Sequence, residues 1–253
     1  MAEPFMRLAV IGDPVDHSRS PELHHAFLTD TNLPGSYERI TVRAGEGARS
    51  IDALRAQGYL GLNVTTPLKE EAFARADSHD EMALATGSVN TLLFSRTIAG
   101  YNTDGAGTLG VLSDAGLRGF AGARVLVLGA GPTARSAIVA LRLAGAHVWL
   151  WNRTGDRAKA IARVFAARTF AGDTAFDAVF SALPPDVTPN DTALVQSLHD
   201  TPIFVDANYG ARATLAAALG RGGVDGTRML EHSARASFDL WRASLADILS
   251  ESV

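Results

Sequence analysis

The run from Val125 to Arg153, VLVLGAGPTARSAIVALRLAGAHVWLWNR, constrains this chain most, because its spacing specifies a complete supersecondary unit. Val125 to Leu128 is an apolar stretch suited to a buried strand, and Gly129-Ala130-Gly131 reads as a turn. Ile138, Leu141 and Ala144 then recur at helical spacing until Gly145 stops the helix. His147 to Trp151 forms a second strand. Strand, turn, helix and parallel strand make a right-handed βαβ unit whose helix N-terminus faces the space over the turn, where an anionic phosphate fits. The pattern is G-x-G-x-x-A. In it Gly129 permits the tight turn, Gly131 lets the backbone approach a pyrophosphate, and small Ala134 lets the helix pack close to the strand. A glycine turn alone is only a turn; in this setting it reads as a dinucleotide site. The end of the second strand selects the nucleotide. Where an NAD unit carries Asp or Glu for the ribose hydroxyls, this chain has Trp151-Asn152-Arg153, with Arg157 one turn later. Two guanidiniums suit a 2′-phosphate and favour NADP over NAD, the alternative being ordinary solvated surface charges.

Composition narrows the partners. The 253 residues carry 23 Lys+Arg against 27 Asp+Glu, a formal charge of −4, which gives no general attraction for nucleic acid or acidic lipid and points to small ligands. With 47% hydrophobic residues the chain can bury the cores of two ordinary domains. The absence of cysteine removes disulfides, thiolate metal sites and cysteine nucleophiles, and is compatible with a reducing cytosol. The N-terminal MAEPFMRLAVIGDP has no basic region followed by an apolar core, and no apolar run is long enough to span a bilayer, so a cytoplasmic protein is expected.

In chain order, Leu8 to Ile11 is a short strand, and the loop from Val15 to Ser20 leads to Pro21 at a helix start, with Ser20 placed to cap it. Ser18 and Ser20 are either loop and cap hydroxyls or a pair that binds a carboxylate. His17, His24 and His25 do not form a metal set, because adjacent helical residues do not share a face and no carboxylate completes one. Tyr37 to Val42 reads as a strand, Ile51 and Leu54 as the inner face of a helix, and Tyr59 to Val64 as a strand. That strand ends in Asn63-Val64-Thr65-Thr66-Pro67-Leu68-Lys69, whose polar groups and lysine lie at and beyond its carboxyl end, where open α/β sheets bind ligands. Beside Glu70 and Glu71, Lys69 is otherwise a solvated helix charge. Val89 to Phe94 and Thr97 to Tyr101 read as a hairpin-like pair with Asn90 inside the first strand and Asn102-Thr103-Asp104-Gly105 after the second. Asp104 is thus available to pair a lysine, or else caps a helix running to Ala115. Ala178 to Leu183 and Ile203 to Asp206 extend the parallel sheet. Phe238, Trp241, Leu245 and Ile248 make an apolar stripe on a terminal helix from Glu231 to Ser250, expected to pack back on the first domain.

Taken together, IGDPVDHSRSPELHH, GLNVTTPLK, GSVNTLL, GYNTDGAG, VLVLGAGPTAR, WNRT, VDANY and MLEHSARASFDLW resemble the shikimate dehydrogenase family over nearly the whole chain. The resemblance implies an α/β protein with a substrate and catalytic domain over 1–103, joined by the C-terminal helix 231–253, and a doubly wound, Rossmann-type NADP-binding domain over 104–230. It implies that Ser18 and Ser20 hold a substrate carboxylate, that Asn63, Thr65, Asn90 and Asp104 hold ring hydroxyls, and that Tyr209 lines the site. Lys69 and Asp104 become the catalytic pair. Gly129, Ala130, Gly131, Pro132, Thr133 and Ala134, with Asn152, Arg153, Thr154 and Arg157, hold NADP, and no metal is implied. The expected activity is the reversible, NADP-dependent reduction of 3-dehydroshikimate to shikimate, a step of aromatic amino acid biosynthesis, by a monomer or homodimer. The chain departs from the family at Pro132-Thr133, where Gly-Ala is usual, at Ser181-Ala182-Leu183-Pro184, at Ala211, and at Ser233, which stands where a substrate-contacting glutamine is usual. A dehydrogenase of quinate or another cyclic polyhydroxy acid, or a non-catalytic nucleotide-binding sensor, are the alternatives.

Overall fold

The computed structural model describes residues 5–172 and 174–250, without the side chains of 246–250. The chain divides into two compact units, one of Met1–Thr103 with Ser233–Val253 and one of Asp104–His232.

In the first unit the order is β1 (Met6–Gly12), α1 (Ser20–Asp30), β2 (Gly35–Thr41), α2 (Gly47–Ala56), β3 (Gly61–Val64), α3 (Lys69–Arg75), β4 (Ser78–His79), α4 (Glu81–Thr86), β5 (Thr91–Phe94) and β6 (Ile98–Tyr101). The sheet runs β2-β1-β3-β5-β6-β4. β1 is parallel to β2 and β3, while β5 is antiparallel to β3 and β6. β1 lies between two neighbours and is apolar on both faces, as such a strand must be. Ala9 and Ile11 join the core of Val42, Ile51, Leu62 and Leu68, whereas Met6, Leu8 and Val10 join Phe27, Leu28, Phe238 and Trp241. The last two come from the terminal helix, Thr227–Ser250, whose Ala234, Phe238, Trp241 and Leu245 are buried in this unit. The Trp241 indole N–H donates to the Leu92 carbonyl at 2.9 Å, tying the helix to β5. The side chain of Ile248 lies outside the described residues.

The second unit contains α5 (Asp104–Asp114), β7 (Arg124–Leu128), α6 (Pro132–Leu143), β8 (His147–Trp151), α7 (Gly155–Val164), β9 (Arg168–Thr169), β10 (Ala178–Ser181), α8 (Thr192–Asp200), β11 (Ile203–Asp206) and α9 (Leu215–Ala218). Its five strands are all parallel, in the order β11-β10-β7-β8-β9. Central β7 turns Val125 and Val127 to one apolar layer and Leu126 and Leu128 to the other, so both faces of the sheet are covered.

Several boundaries differ from the sequence reading. Asn90 immediately precedes β5 rather than lying inside it, although its amide and carbonyl still bond Tyr101 and Val64 at 3.0 and 2.8 Å. Ser20 is the first helical residue rather than the cap; Arg19 holds the cap position, and the Ser18 hydroxyl receives the Ser20 amide at 3.3 Å. The terminal helix begins at Thr227, four residues before Glu231, where the Asp225 carboxylate accepts the Thr227 amide at 3.0 Å. Among the described residues no helix is long and apolar enough to cross a membrane.

Candidate functional site

The carboxyl ends of β1 and β3 are laced together. Thr65 donates its amide to Ile11 and Asp13 donates its own to Thr66, at 2.9 and 3.0 Å. A side chain on Gly12 would meet the Thr66 carbonyl at 2.8 Å, so only glycine lets these loops approach so closely. The β1 loop carries Ser18 and Ser20, both buried, whose hydroxyls bond each other at 3.1 Å. Arg39 fixes this loop by donating Nε and Nη2 to the Ser18 carbonyl at 2.8 and 2.5 Å, and its guanidinium also pairs with Glu22 at 2.6 Å. That hydrogen bond holds the Glu22 carboxyl below its usual pKa. The β3 loop carries half-buried Thr65 and leads into α3.

Lys69 opens α3 and is only 8% exposed, unlike a solvated helix charge. Bonds from other segments fix the start of this helix. The Lys69 carbonyl receives the Val89 amide at 2.9 Å, and Glu71, two residues on, accepts the amides of Gly45 and Gly47 at 2.7 and 2.8 Å, pinning α3 against α2.

Next to Lys69 in the sheet's order of loops lies a closed polar network that the sequence did not show. The Asn63 side chain accepts the Tyr37 hydroxyl at 2.7 Å. Its amide faces three acceptors, the Asn90 carbonyl, Thr91 Oγ1 and Ser237 Oγ, at 3.2, 3.1 and 3.0 Å. Asn90 accepts the Thr103 amide at 2.8 Å, and its own amide donates to the Thr103 and Ser233 hydroxyls. Thr103 and Ser233 bond at 2.8 Å, as do Thr91 and Ser237. Apart from half-buried Asn63, every member from Asn90 to Ser237 is at least nine-tenths buried. Ser233 is therefore engaged inside the network. Of these residues, Tyr37, Thr91, Thr103 and Ser237 were missed by sequence reasoning. The only available signal was a pair of serines at i and i+4 beside the apolar stripe of the terminal helix.

His24 was weighed in the sequence only as a metal ligand. It stacks on Tyr37 with ring centroids 4.2 Å apart and meets Phe27 edge-on at 5.6 Å. Burial pushes its pKa down to about 3, so it is a neutral core aromatic.

In the second unit Asp104 is the first residue of α5 and is buried. Tyr209 is half-buried and caps the short turn Gly210–Arg212 after β11. The glycine turn follows β7. Gly129 has φ +109°, and a side chain there would meet the Ala182 carbonyl at 3.0 Å. Gly131 caps α6, with open space where a Cβ would be, and Pro132 opens the helix. Proline has no N–H, but at this position none is needed for the helix, and the next amides, of Thr133 and Ala134, belong to its unsatisfied first turn. Ala134 is fully buried against the sheet, the close helix packing that the third position of the pattern requires. At the end of β8 the Asn152 amide donates to the Thr154 carbonyl at 3.2 Å, and Thr154 caps α7. Arg153 and Arg157 are exposed and have no ion-pair partner among the described residues. An open helix N-terminus at a strand's carboxyl end, with two uncommitted guanidiniums just beyond the next strand, one in the loop after β8 and one in the first turn of α7, fits a dinucleotide bearing a 2′-phosphate.

A parallel sheet with such a turn, joined to a separate α/β unit whose loops carry a buried lysine and buried amides, defines a two-domain, dinucleotide-dependent dehydrogenase. Residues 10–92 match the family model of the shikimate dehydrogenase substrate binding domain, and residues 112–195 match that of shikimate / quinate 5-dehydrogenase. A shikimate dehydrogenase (NADP(+)) of Acidiphilium cryptum is 39% identical over 93% of this chain and 90% of its own length. One from Bordetella petrii is 45% identical over 66% of this chain and 58% of its own. The shikimate 5-dehydrogenase of Thermus thermophilus, solved with NADP(H) and shikimate, superposes with a TM-score of 0.81 at 33% identity, covering 93% of each chain. That of Aquifex aeolicus superposes with a TM-score of 0.82 at 27% identity, covering 94% of this chain and 93% of its own. The chain belongs to the shikimate dehydrogenase family.

Proposed function

We propose that this protein catalyses the reversible, NADP-dependent reduction of 3-dehydroshikimate to shikimate, with 1–103 and the terminal helix as the substrate domain and 104–230 as the nucleotide domain. The observation that carries the reading is the burial of Lys69 at the end of a sheet whose neighbouring loops present paired serine hydroxyls and buried amides, in a chain whose relatives are named for this reaction. All partners in it are small molecules, in keeping with the net charge of −4.

When bound, NADPH supplies the hydride that adds to the ketone carbon. Charge then develops on the ketone oxygen, so a cation able to donate a proton there stabilises the transition state where it differs most from the ground state. Lys69 fills that role, giving its proton to the oxygen in reduction and regaining it in oxidation. Asp104 holds a neighbouring hydroxyl of the substrate. Ser18 and Ser20 receive the substrate carboxylate. Asn63, Thr65 and Asn90 hold ring hydroxyls, and Tyr209 lines the site. The amides after Gly131 would hold the pyrophosphate, and Arg153 with Arg157 the 2′-phosphate.

The test is a spectrophotometric screen of shikimate and quinate against NADP and NAD. Reduction of NADP by shikimate is expected. Turnover of quinate alone would replace the substrate, and turnover with NAD alone would overturn the role of Arg153. Silence with every pair, despite measurable nucleotide binding, would favour a sensor.

A further inference from the structure

Several members of the first unit's polar network have no place in the reaction as proposed, and one of them joins three others from different segments. Ser237 is fully buried on the terminal helix, one turn beyond Ser233, and its hydroxyl touches Asn63, Thr91 and Thr103 at 3.0, 2.8 and 3.2 Å. These belong to β3, to β5 and to the residue immediately before Asp104. We infer that Ser237 is a positioning residue, which sets the orientation of the Asn63 carboxamide and of Thr103 and so the aim of the groups that hold the substrate ring.

The hydrogen-bond arithmetic supports this. The Asn90 carbonyl can only accept, so it fixes which end of the Asn63 carboxamide carries the nitrogen. That nitrogen has two hydrogens for three acceptors, and the Asn63 oxygen already takes the Tyr37 hydroxyl. Both Asn63 donors are therefore occupied within the protein. What the carboxamide offers a ring hydroxyl is the remaining lone pair of its oxygen, a directional acceptor whose aim depends on how the nitrogen is shared. If Ser237 loses its hydroxyl, the nitrogen still has two acceptors for two hydrogens. The amide stays satisfied but turns toward Asn90 and Thr91. Little stability is lost, because no buried donor on Asn63 is orphaned. The aim of the oxygen changes. Thr103 loses a partner in the same step, while the nucleotide turn in the other unit is untouched.

The inference rests on the proposed dehydrogenase reading, and steady-state kinetics on the full chain separate the two. In Ser237→Ala, the KM for shikimate should rise roughly three- to tenfold, the worth of one hydrogen bond. The KM for NADP should stay within twofold, and restoring a hydroxyl as Ser237→Thr should recover part of the loss. Should Ser237→Ala prove too unstable to purify, Ser237→Cys keeps the volume, offers only a weak donor, and should show the same split. A lowered melting temperature with both KM values unchanged would make Ser237 merely structural and overturn the inference, leaving the dehydrogenase standing. A wild-type protein that binds NADP but turns over no cyclic polyhydroxy acid would overturn both.

Discussion

His24 makes the stability of the first unit depend on pH in a window that can be stated in advance. Its ring is fully buried between Tyr37 and Phe27. Desolvation is the main cause of its low pKa of about 3, the nearby positive charges of Arg235 and His25 add to it, and the Asn63 side chain opposes it. In the unfolded chain the imidazole returns to 6.5. Between these values the unfolded state binds a proton that the native state does not, so stability rises with pH across the window and falls on acidification. One pKa unit corresponds to about 1.4 kcal/mol, so going from pH 7 to pH 5 should cost about 2 kcal/mol, with little change above pH 7. The carboxylates held low do not confuse this window. Glu22, lowered by Arg39, and Asp77, lowered by the Ile98 amide, lose their contributions only below their ordinary values of 4.5 and 3.8. Urea unfolding at several pH values, followed by the indole N–H resonance of Trp241, reads this unit specifically, since that N–H is hydrogen-bonded inside it. His24→Phe should flatten the slope between pH 7 and 5. An undiminished slope in that variant, or an imidazole that titrates near 6.5 in the native protein, would refute the argument.

Three further outcomes follow from the geometry. Lys69→Ala should lower kcat by about 10²–10⁴, the usual worth of a general acid, with shikimate binding affected far less; single-turnover kinetics with a binding titration would show it. Arg153→Ala should raise the KM for NADP by roughly ten- to a hundredfold, the loss of a charge-assisted contact, while leaving the KM for NAD nearly unchanged, so the ratio of the two is the readout. Gly61→Ala should destabilise the first unit by about 1–3 kcal/mol or more, because the new methyl group meets the Leu92 carbonyl at 2.5 Å and presses on the Trp241 indole. A lowered urea midpoint and a shifted Trp241 resonance would report it.

What was legible in the sequence was what repeats at a fixed period within one stretch. The unit from Val125 to Trp151 has apolar residues at strand and then helix spacing, closed by Gly145 with φ +87°, so its elements appear where the periodicity puts them. The stripe of Phe238, Trp241 and Leu245 was visible for the same reason. The two-residue strands Ser78–His79 and Arg168–Thr169 are too short to show any period and exist only by pairing with neighbours already in place. Lys69 was ambiguous because its sequence neighbours are charged, and what fixes the start of its helix, the bond to Val89 and the anchoring of Glu71 on Gly45 and Gly47, comes from other segments.

The polar network extends the same reasoning to the site. Its bonds join residues as far apart as Asn63 and Ser237, and a serine one turn from another serine on a helix reads locally as surface. The aim of a buried amide is decided by the number of donors and acceptors that several segments bring to it. Short motifs thus name the residue types proposed to hold the substrate, while the orientation of those residues depends on how Tyr37, Thr91, Thr103, Ser233 and Ser237 meet across segments. Two of these partners, Ser233 and Ser237, come from the terminal helix, far in sequence from Asn63 and Asn90.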